Sequence, residues 1–268
     1  MKTKVGIIGL GYVGGALKHW FDSRKSLYEV FLYDKYKKIG SVNEVNRASI
    51  IFVAVPTPFN EKSGGYDDSA VKEAVSKIKN GKIAVIKSTV LPGSSEKFQK
   101  LYSKKIILFN PEFLRATTAN HDFMKPDRQI IGFANPAGKK AALKILKVLP
   151  KAPFSMIVKS KEAEMIKYFS NSYLATRVVF ANQIYDLCRK LKDVDYDVVR
   201  KCLVQDKRIG NSHFEIFHEG YRGYAGGCFP KDVRALLQLA KKMKVDMNLL
   251  QTAEKINNKL IKQNKPLK

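Results

Sequence analysis

Short apolar runs alternate with helix-length stretches along the first half of the chain. The runs occupy residues 5–8, 30–33, 50–55, 83–86, 106–109 and 129–133. Each is rich in Ile and Val and bounded by Gly, Pro, Asn or Lys, the pattern of strands covered on both faces. Strand and helix in regular alternation predict an α/β domain over residues 1–155, a doubly wound, Rossmann-like parallel sheet. From residue 160 the period changes. Ile166, Phe169, Tyr173, Phe180, Ile184, Leu187 and Leu191 recur at helical spacing over a segment without Pro or Gly. One long helix is therefore expected to open a helical central domain over residues 156–268. Further helical periodicity covers residues 233–239 and 249–261, after a polar, Gly-rich loop around residues 210–227.

The first strand runs into Gly9, Gly11 and Gly14, a GxGxxG turn that leads into a helical stretch containing Ala16, Leu17 and Trp20. In that setting each glycine has a separate task. The first permits a tight turn, the second lets a pyrophosphate approach the backbone, and the third lets helix and strand pack closely. Tyr12 and Val13 complete the turn, and the helix N-terminus there presents N–H groups to an anion. Asp34 closes the second strand, 20 residues after Gly14. A carboxylate at that point accepts hydrogen bonds from a ribose and repels a 2′-phosphate, so NAD rather than NADP is the expected cofactor.

The chain of 268 residues carries 49 Lys and Arg against 24 Asp and Glu, a formal charge of +25. Of the basic residues 39 are Lys and 10 are Arg, scattered from Lys2 to Lys268. Nucleic-acid readers rely on Arg forks gathered on one face. Scattered lysine points instead to a solvated surface, compatible with a phosphate-bearing small molecule and not with a nucleic-acid partner. No apolar run approaches the ~20 residues of a membrane span, and the N-terminus reads as a strand rather than a signal peptide. A cytoplasmic protein without a membrane partner is expected. Cys188, Cys202 and Cys228 are too far apart for a disulfide framework or a metal knuckle. His213 and His218 lack a third ligand nearby, so no metal site is expected.

In an open parallel sheet, ligands lie beyond the carboxyl ends of the strands. Residues 55–58 (Val-Pro-Thr-Pro), 88–93 (Ser-Thr-Val-Leu-Pro-Gly) and 110–115 (Asn-Pro-Glu-Phe-Leu-Arg) follow the third, fourth and fifth runs. Thr57, Thr89 and Glu112 are thereby expected to converge on one crevice, although Pro and Thr also serve simply to end strands and cap helices. On the long helix, Glu164, Lys167 and Asn171 stand at i, i+3 and i+7, on one face. A Glu and a Lys so spaced also fit a plain surface pair. Cys228, in the sequence Gly-Gly-Cys-Phe-Pro-Lys-Asp of residues 226–232, precedes a helical pattern whose N-terminus favours thiolate. It reads either as a reactive thiol or as a packing cysteine. Cys188 and Cys202 read as structural.

Taken together, residues 9–14, the Pro-Thr-Pro loop, residues 88–93, 110–115, 167–174, 208–210 and 226–232 resemble the UDP-glucose/GDP-mannose dehydrogenase family. The resemblance covers essentially the whole chain, and the cysteine loop with Lys231 and Asp232 is its most specific part. It implies oxidation of the C6 alcohol of a nucleotide sugar to a carboxylate with two NAD⁺ and one water, UDP-glucose to UDP-glucuronate, by way of a thiohemiacetal and a thioester. By that analogy Cys228 is the nucleophile, Lys167 and Asn171 stabilise oxyanions, and Asp232 with Thr89 positions water or relays protons. Glu112 is the acid/base candidate, and Thr57, Thr89 and Lys231 join the glycine turn and Asp34 as cofactor contacts. A GDP-mannose dehydrogenase, or an NAD-binding remnant that is inactive or depends on a partner, is the alternative. Ala116 stands where the family usually carries a second Glu. The chain also stops where family members usually continue into a third domain that holds the UDP moiety, so a separate polypeptide supplying that domain is a possible partner. The apolar positions of the long helix wrap so widely that a homodimer through it is expected, as the resemblance also implies.

Overall fold

The computed structural model describes residues 1–218 and 220–263. It divides into two compact units, Met1–Lys167 and a second from Tyr168 onward. In chain order the first unit contains β1 (Thr3–Ile8), α1 (Tyr12–Asp22), β2 (Tyr28–Asp34), β3 (Ile39–Gly40), α2 (Val42–Val45) and β4 (Ile50–Val53). A small hairpin, β5 (Phe59–Asn60) with β6 (Gly65–Tyr66), leads to α3 (Ser69–Lys77), β7 (Ile83–Ile86), α4 (Ser94–Leu101) and β8 (Ile106–Phe109). There follow α5 (Ala119–Met124), β9 (Arg128–Phe133), α6 (Pro136–Val148), β10 (Phe154–Lys159) and the helix α7 (Ser160–Lys190), within which the boundary between units falls.

Eight strands form one sheet in the order β10-β9-β8-β7-β4-β1-β2-β3. Strands β2, β1, β4, β7 and β8 are mutually parallel. The sheet is mainly parallel, as expected, with antiparallel pairings at two places, the first being the two-residue β3 against β2. Strand β9 runs antiparallel to β8, and β10, which the sequence pattern does not reveal, pairs parallel with β9. The chain between β8 and β9 holds only a 3₁₀ turn and the six-residue α5. It lacks the full-length helix that usually carries a crossover between parallel strands.

Side-chain alternation on the strands divides the core in two. Val5, Ile7, Phe52, Val85, Leu108 and Ile131 pack with Leu17, Trp20 and Phe21 of α1 and Ala142 and Ile145 of α6. Ile8, Ile51, Val53, Ile86, Ile107 and Phe109 point the other way, onto Val71 and Val75 of α3, Phe98 of α4 and Ala163. Period-2 alternation with both sets apolar is what a sheet covered by helices on both faces requires.

The second unit is helical. It contains the remainder of α7, then α8 (Tyr196–Leu203), a hairpin of β11 (Phe217–His218) and β12 (Tyr221–Arg222), α9 (Phe229–Lys242) and α10 (Asn248–Gln263). Ala181, Cys188, Tyr196, Phe214 and Ile216 form one of its apolar clusters. Among the described residues no helix is long and apolar enough to cross a membrane.

Candidate active site

The direction of chain progression reverses between β1 and β4: the β1–α1–β2 unit builds one way across the sheet and β4, β7 and β8 the other. The crevice at that switch point holds the glycine turn. Gly9 has φ +89°, and a Cβ there would lie 2.5 Å from the Ala54 carbonyl oxygen. A Cβ on Gly14 would press into the Gly9 carbonyl, whereas a Cβ on Gly11 would meet nothing within 4 Å. Two of the glycines are thus demanded by the protein's own packing. Gly11 is not, and it caps α1, whose first residues Tyr12 and Val13 begin the helix. Open space at the N-cap of an eleven-residue helix, bordered by backbone, suits a pyrophosphate. Tyr12 is 72% exposed beside it.

Asp34 is buried at the end of β2 and ties this turn in place. Leu10 N donates to its Oδ2 at 2.7 Å, and Tyr36 N and Lys37 N donate to Oδ1 at 3.0 and 2.8 Å. Burial raises the carboxyl's pKa, but these backbone bonds outweigh burial and hold it below its ordinary value. One lone pair stays open on Oδ2, enough for one ribose hydroxyl. Lys37 Nζ donates to the Leu10 carbonyl at 2.7 Å, so that residue's backbone is fixed at one end from the last residue of β2 and at the other from the loop after it. Lys35 instead lies 3.4 Å from Glu73 on the surface.

Beyond the carboxyl ends of β4, β7 and β8 stand the other expected loops. Their strand ends are level, Val53 beside Ile86 and Ile86 beside Phe109, which puts Thr57, Thr89 and Glu112 at one edge of the sheet. Thr57 and Thr89 are buried. Ser88 Oγ donates to the Val55 carbonyl at 2.7 Å and so joins the first two loops. Glu112 accepts from Lys167 Nζ at 2.9 Å, with both side chains nearly inaccessible, and from Leu114 N at 2.8 Å. Burial raises the Glu112 carboxyl's pKa, but Lys167, the Leu114 N–H and Lys87 more than reverse this, and its pKa is lowered. At neutral pH it is a carboxylate, suited to accept a proton.

Glu164 and Lys167 do not pair with each other, as a surface reading of their spacing would have it. Glu164 is fully buried and accepts from Gly93 N at 2.6 Å and Ser95 N at 2.8 Å. It caps α4, whose N-terminal N–H groups need an acceptor, and thereby fixes the end of the loop that carries Thr89. Desolvation pushes its pKa up to about 7 despite those bonds. Ala116 is exposed at the start of a 3₁₀ turn.

In the second unit, Cys228 is exposed at the N-cap of α9, and Asp232 N donates to its carbonyl at 3.1 Å. Asp232 is buried one turn into the helix. Its Oδ2 accepts from Asn171 Nδ2 at 2.6 Å and its Oδ1 from Lys231 Nζ at 2.5 Å. The approach to the cysteine is held from α10: Asn257 accepts from Tyr224 N at 2.7 Å and donates to its carbonyl at 2.9 Å, while Tyr224 Oη donates to Glu254 at 2.6 Å. Cys188 is buried, but Cys202 is exposed on α8, so the structural role expected for it fails. His213 stacks on Phe229 with ring centroids 5.5 Å apart. Among the described residues no group of three His, Cys, Asp or Glu is placed to hold a metal ion.

The residues that sequence reasoning overlooked are Lys87 and Asn110, each one position past a strand end. Lys87 is buried and donates to Asn110 Oδ1 at 2.6 Å. Lys87 immediately precedes the Ser-Thr pair of its loop, and a lysine closing an otherwise apolar strand was the available signal.

Comparison with known proteins agrees with this layout. The pattern of the UDP-glucose/GDP-mannose dehydrogenase family, NAD binding domain, matches residues 29–149, and that of the family's central domain matches residues 161–259. A UDP-glucose 6-dehydrogenase from Bacillus subtilis is 35% identical over 224 residues, covering 79% of this chain and 49% of its own. One from Pseudomonas aeruginosa is 36% identical over 225 residues, covering 78% and 48%. The chain spans about half the length of the curated relatives it matches. A solved UDP-glucose dehydrogenase from the hyperthermophilic archaeon Pyrobaculum islandicum superposes with a TM-score of 0.83 at 28% identity, covering 97% of this chain and 68% of that one. With both of the family's domain patterns matched in order and the glycine turn and cysteine loop in place, the chain belongs to the UDP-glucose/GDP-mannose dehydrogenase family.

Proposed function

We propose that the chain oxidises a nucleotide sugar at C6, UDP-glucose to UDP-glucuronate, with NAD as oxidant. The observation that carries this reading is Cys228. It is an exposed cysteine at the N-cap of a fourteen-residue helix, beside a buried aspartate that Asn171 and Lys231 hold. A thiol that only filled space would be buried. The open cradle at Gly11 fits a dinucleotide, and Asp34 favours a free ribose over a phosphorylated one. Once bound, NAD supplies the hydride acceptor.

The chain's own part centres on sulfur. Loss of a first hydride and the hydroxyl proton leaves an aldehyde at C6. The Cys228 thiolate adds to it as the C=O π bond opens to the oxyanion of a thiohemiacetal, and loss of a second hydride from that carbon restores C=O as a thioester. Water then adds, the C–S bond breaks, and a carboxylate and the thiolate are released. Lys167 and Asn171 offer ammonium and amide donors to negatively charged oxygen. Asp232 and Thr89 orient water or pass protons, and Glu112, held as a carboxylate, acts as base. Thr57, Thr89 and Lys231 add cofactor contacts. A homodimer formed through α7 is part of the same proposal, since Phe169, Tyr173, Phe180 and Leu187 stay exposed along it.

The test follows NADH absorbance with UDP-glucose for wild type, Cys228→Ser and Cys188→Ser, with NAD binding measured by calorimetry for each. The serine at 228 should abolish net oxidation and leave NAD affinity unchanged, while the serine at 188 stays active. Equal turnover by wild type and Cys228→Ser would overturn the thioester route.

A further inference from the structure

Lys87 has no part in the scheme above, yet it lies among the residues that scheme uses. It directly follows β7, and Asn110 directly follows β8. Lys87 N donates to the Val53 carbonyl and Asn110 N to the Ile86 carbonyl, so the two residues extend the sheet's ladder by one rung and stand side by side. Their side chains join there, Lys87 Nζ to Asn110 Oδ1 at 2.6 Å. Asn110 is itself fixed, donating to the Ile130 carbonyl at 2.8 Å and to Gln129 Oε1 at 3.4 Å. The Phe123 ring of α5 faces the amine, 5.5 Å from its centroid. The charged groups acting on Lys87 are Glu112, from the loop after β8, and Lys167, from α7. Lys87 bonds Asn110, two residues before Glu112, and Lys167 bonds Glu112 itself, so two amines meet the short segment that carries one carboxylate.

We propose that Lys87 is a positioning residue of the Glu112–Lys167 pair: the second amine that meets this segment, it gains or loses a proton and so sets whether the cluster carries net charge. With Lys87 protonated the three groups sum to +1, and with it neutral they sum to zero. The surroundings favour exchange over permanent charge. An ammonium has three N–H donors, and the described residues give this one a single oxygen acceptor and an aromatic face. Burial accordingly brings its pKa down to about 7, with Glu112 opposing the fall and Lys167 adding to it. The consequence for Glu112 is direct. While charged, Lys87 helps hold that carboxylate ionised against burial, and once neutral it leaves the work to Lys167 and the Leu114 N–H.

This inference rests on the assignment of Glu112 and Lys167 to the reaction, but its test does not need turnover. The protein labelled with ¹³C at the lysine ε-carbon is titrated by NMR, and the Lys87 signal is assigned by its loss in Lys87→Met. We expect that signal to titrate with a midpoint near 7, and in Glu112→Gln, where the opposing anion is gone, to move to lower pH. A midpoint in the ordinary lysine range, or one unmoved in Glu112→Gln, would overturn the proposal. If the chain oxidises UDP-glucose, Lys87→Met should also lose one ionisation of the neutral range from the pH profile of kcat/KM, and an unchanged profile counts against Lys87 alone. If the chain shows no oxidation, the NMR result stands by itself and the failure belongs to the reaction assigned above.

Discussion

Substituting alanine at two of the three glycines should separate folding from cofactor binding. At Gly14 the new Cβ would sit 2.9 Å from the Gly9 carbonyl carbon and nearer still to its oxygen. Carbon atoms prefer ~3.5–4.0 Å, so turn and helix must part by at least about 0.6 Å. Overpacking of that kind costs ~1–3 kcal/mol or more, and the better helix propensity of alanine returns about 1 kcal/mol. A net loss of about 2 kcal/mol lowers Tm by roughly 4–8 °C for a unit of this size. Because the displaced atoms form the turn itself, NAD affinity falls with stability. At Gly11 no protein atom lies within 4 Å of the added Cβ. The cost there is only that of a poorer N-cap, about 1 kcal/mol or less, yet the methyl occupies the space a pyrophosphate needs. Its Kd for NAD should rise at least about tenfold, equivalent to 1.4 kcal/mol, with Tm nearly unchanged.

Thermal unfolding by circular dichroism and NAD titration by calorimetry read both quantities on the same preparations. Gly11→Ala binding NAD as tightly as wild type would remove the phosphate from this turn. Gly14→Ala with unchanged Tm would show that the close approach of helix and strand is not tight in solution.

Three further outcomes follow from the site. Asp34 should make NAD bind more tightly than NADP, as competing calorimetric titrations will show; tighter NADP binding defeats that role and points to Lys35 or Lys37. Lys167→Met strands Glu112 in a buried site and should cost about 3 kcal/mol in chemical denaturation at pH 7, the scale of a broken buried pair. Because folding lowers the Glu112 pKa, its contribution is present above the ordinary value of 4.5 and is lost as pH falls through the lower folded value; Glu112→Gln should flatten that acid limb, and an identical limb in both proteins refutes the pairing. Phe180→Asp, a charge placed on the exposed face of α7, should convert a dimer at micromolar concentration to monomer in sedimentation velocity, and a wild-type monomer would end that part of the proposal.

Much of the fold was legible because buried parallel strands announce themselves. The apolar runs that became β1, β4, β7 and β8 stand out since both faces of each are covered, as Ile51 and Phe52, pointing opposite ways and both fully buried, illustrate. Strand β10 was hidden for the opposite reason: at the sheet edge, with Phe154 and Met156 about half exposed, it has no continuous apolar run. The direction of β9 was likewise out of reach, because the apolar pattern of a strand is the same run either way.

The site divides along a similar line between local spacing and distant partners. The Gly9, Gly11 and Gly14 turn and the acid at Asp34 follow from positions a few residues apart, and Cys228 at a helix start follows from Pro230 and the apolar period after it. Spacing also puts Glu164, Lys167 and Asn171 on one face of α7, but it makes Glu164 and Lys167 look like one exposed pair. In the structure each is buried against a different partner: Glu164 meets the N–H groups of Gly93 and Ser95, Lys167 meets Glu112, and Asn171 meets Asp232. Those partners lie 71, 69, 55 and 61 residues away along the chain, a separation at which periodicity carries no information. A buried charge needs an opposite or hydrogen-bonding group, so a helix face with a carboxylate, an ammonium and an amide, once known to be buried, requires three separate receptors. The loops after β7 and β8 and the first turn of α9 provide them.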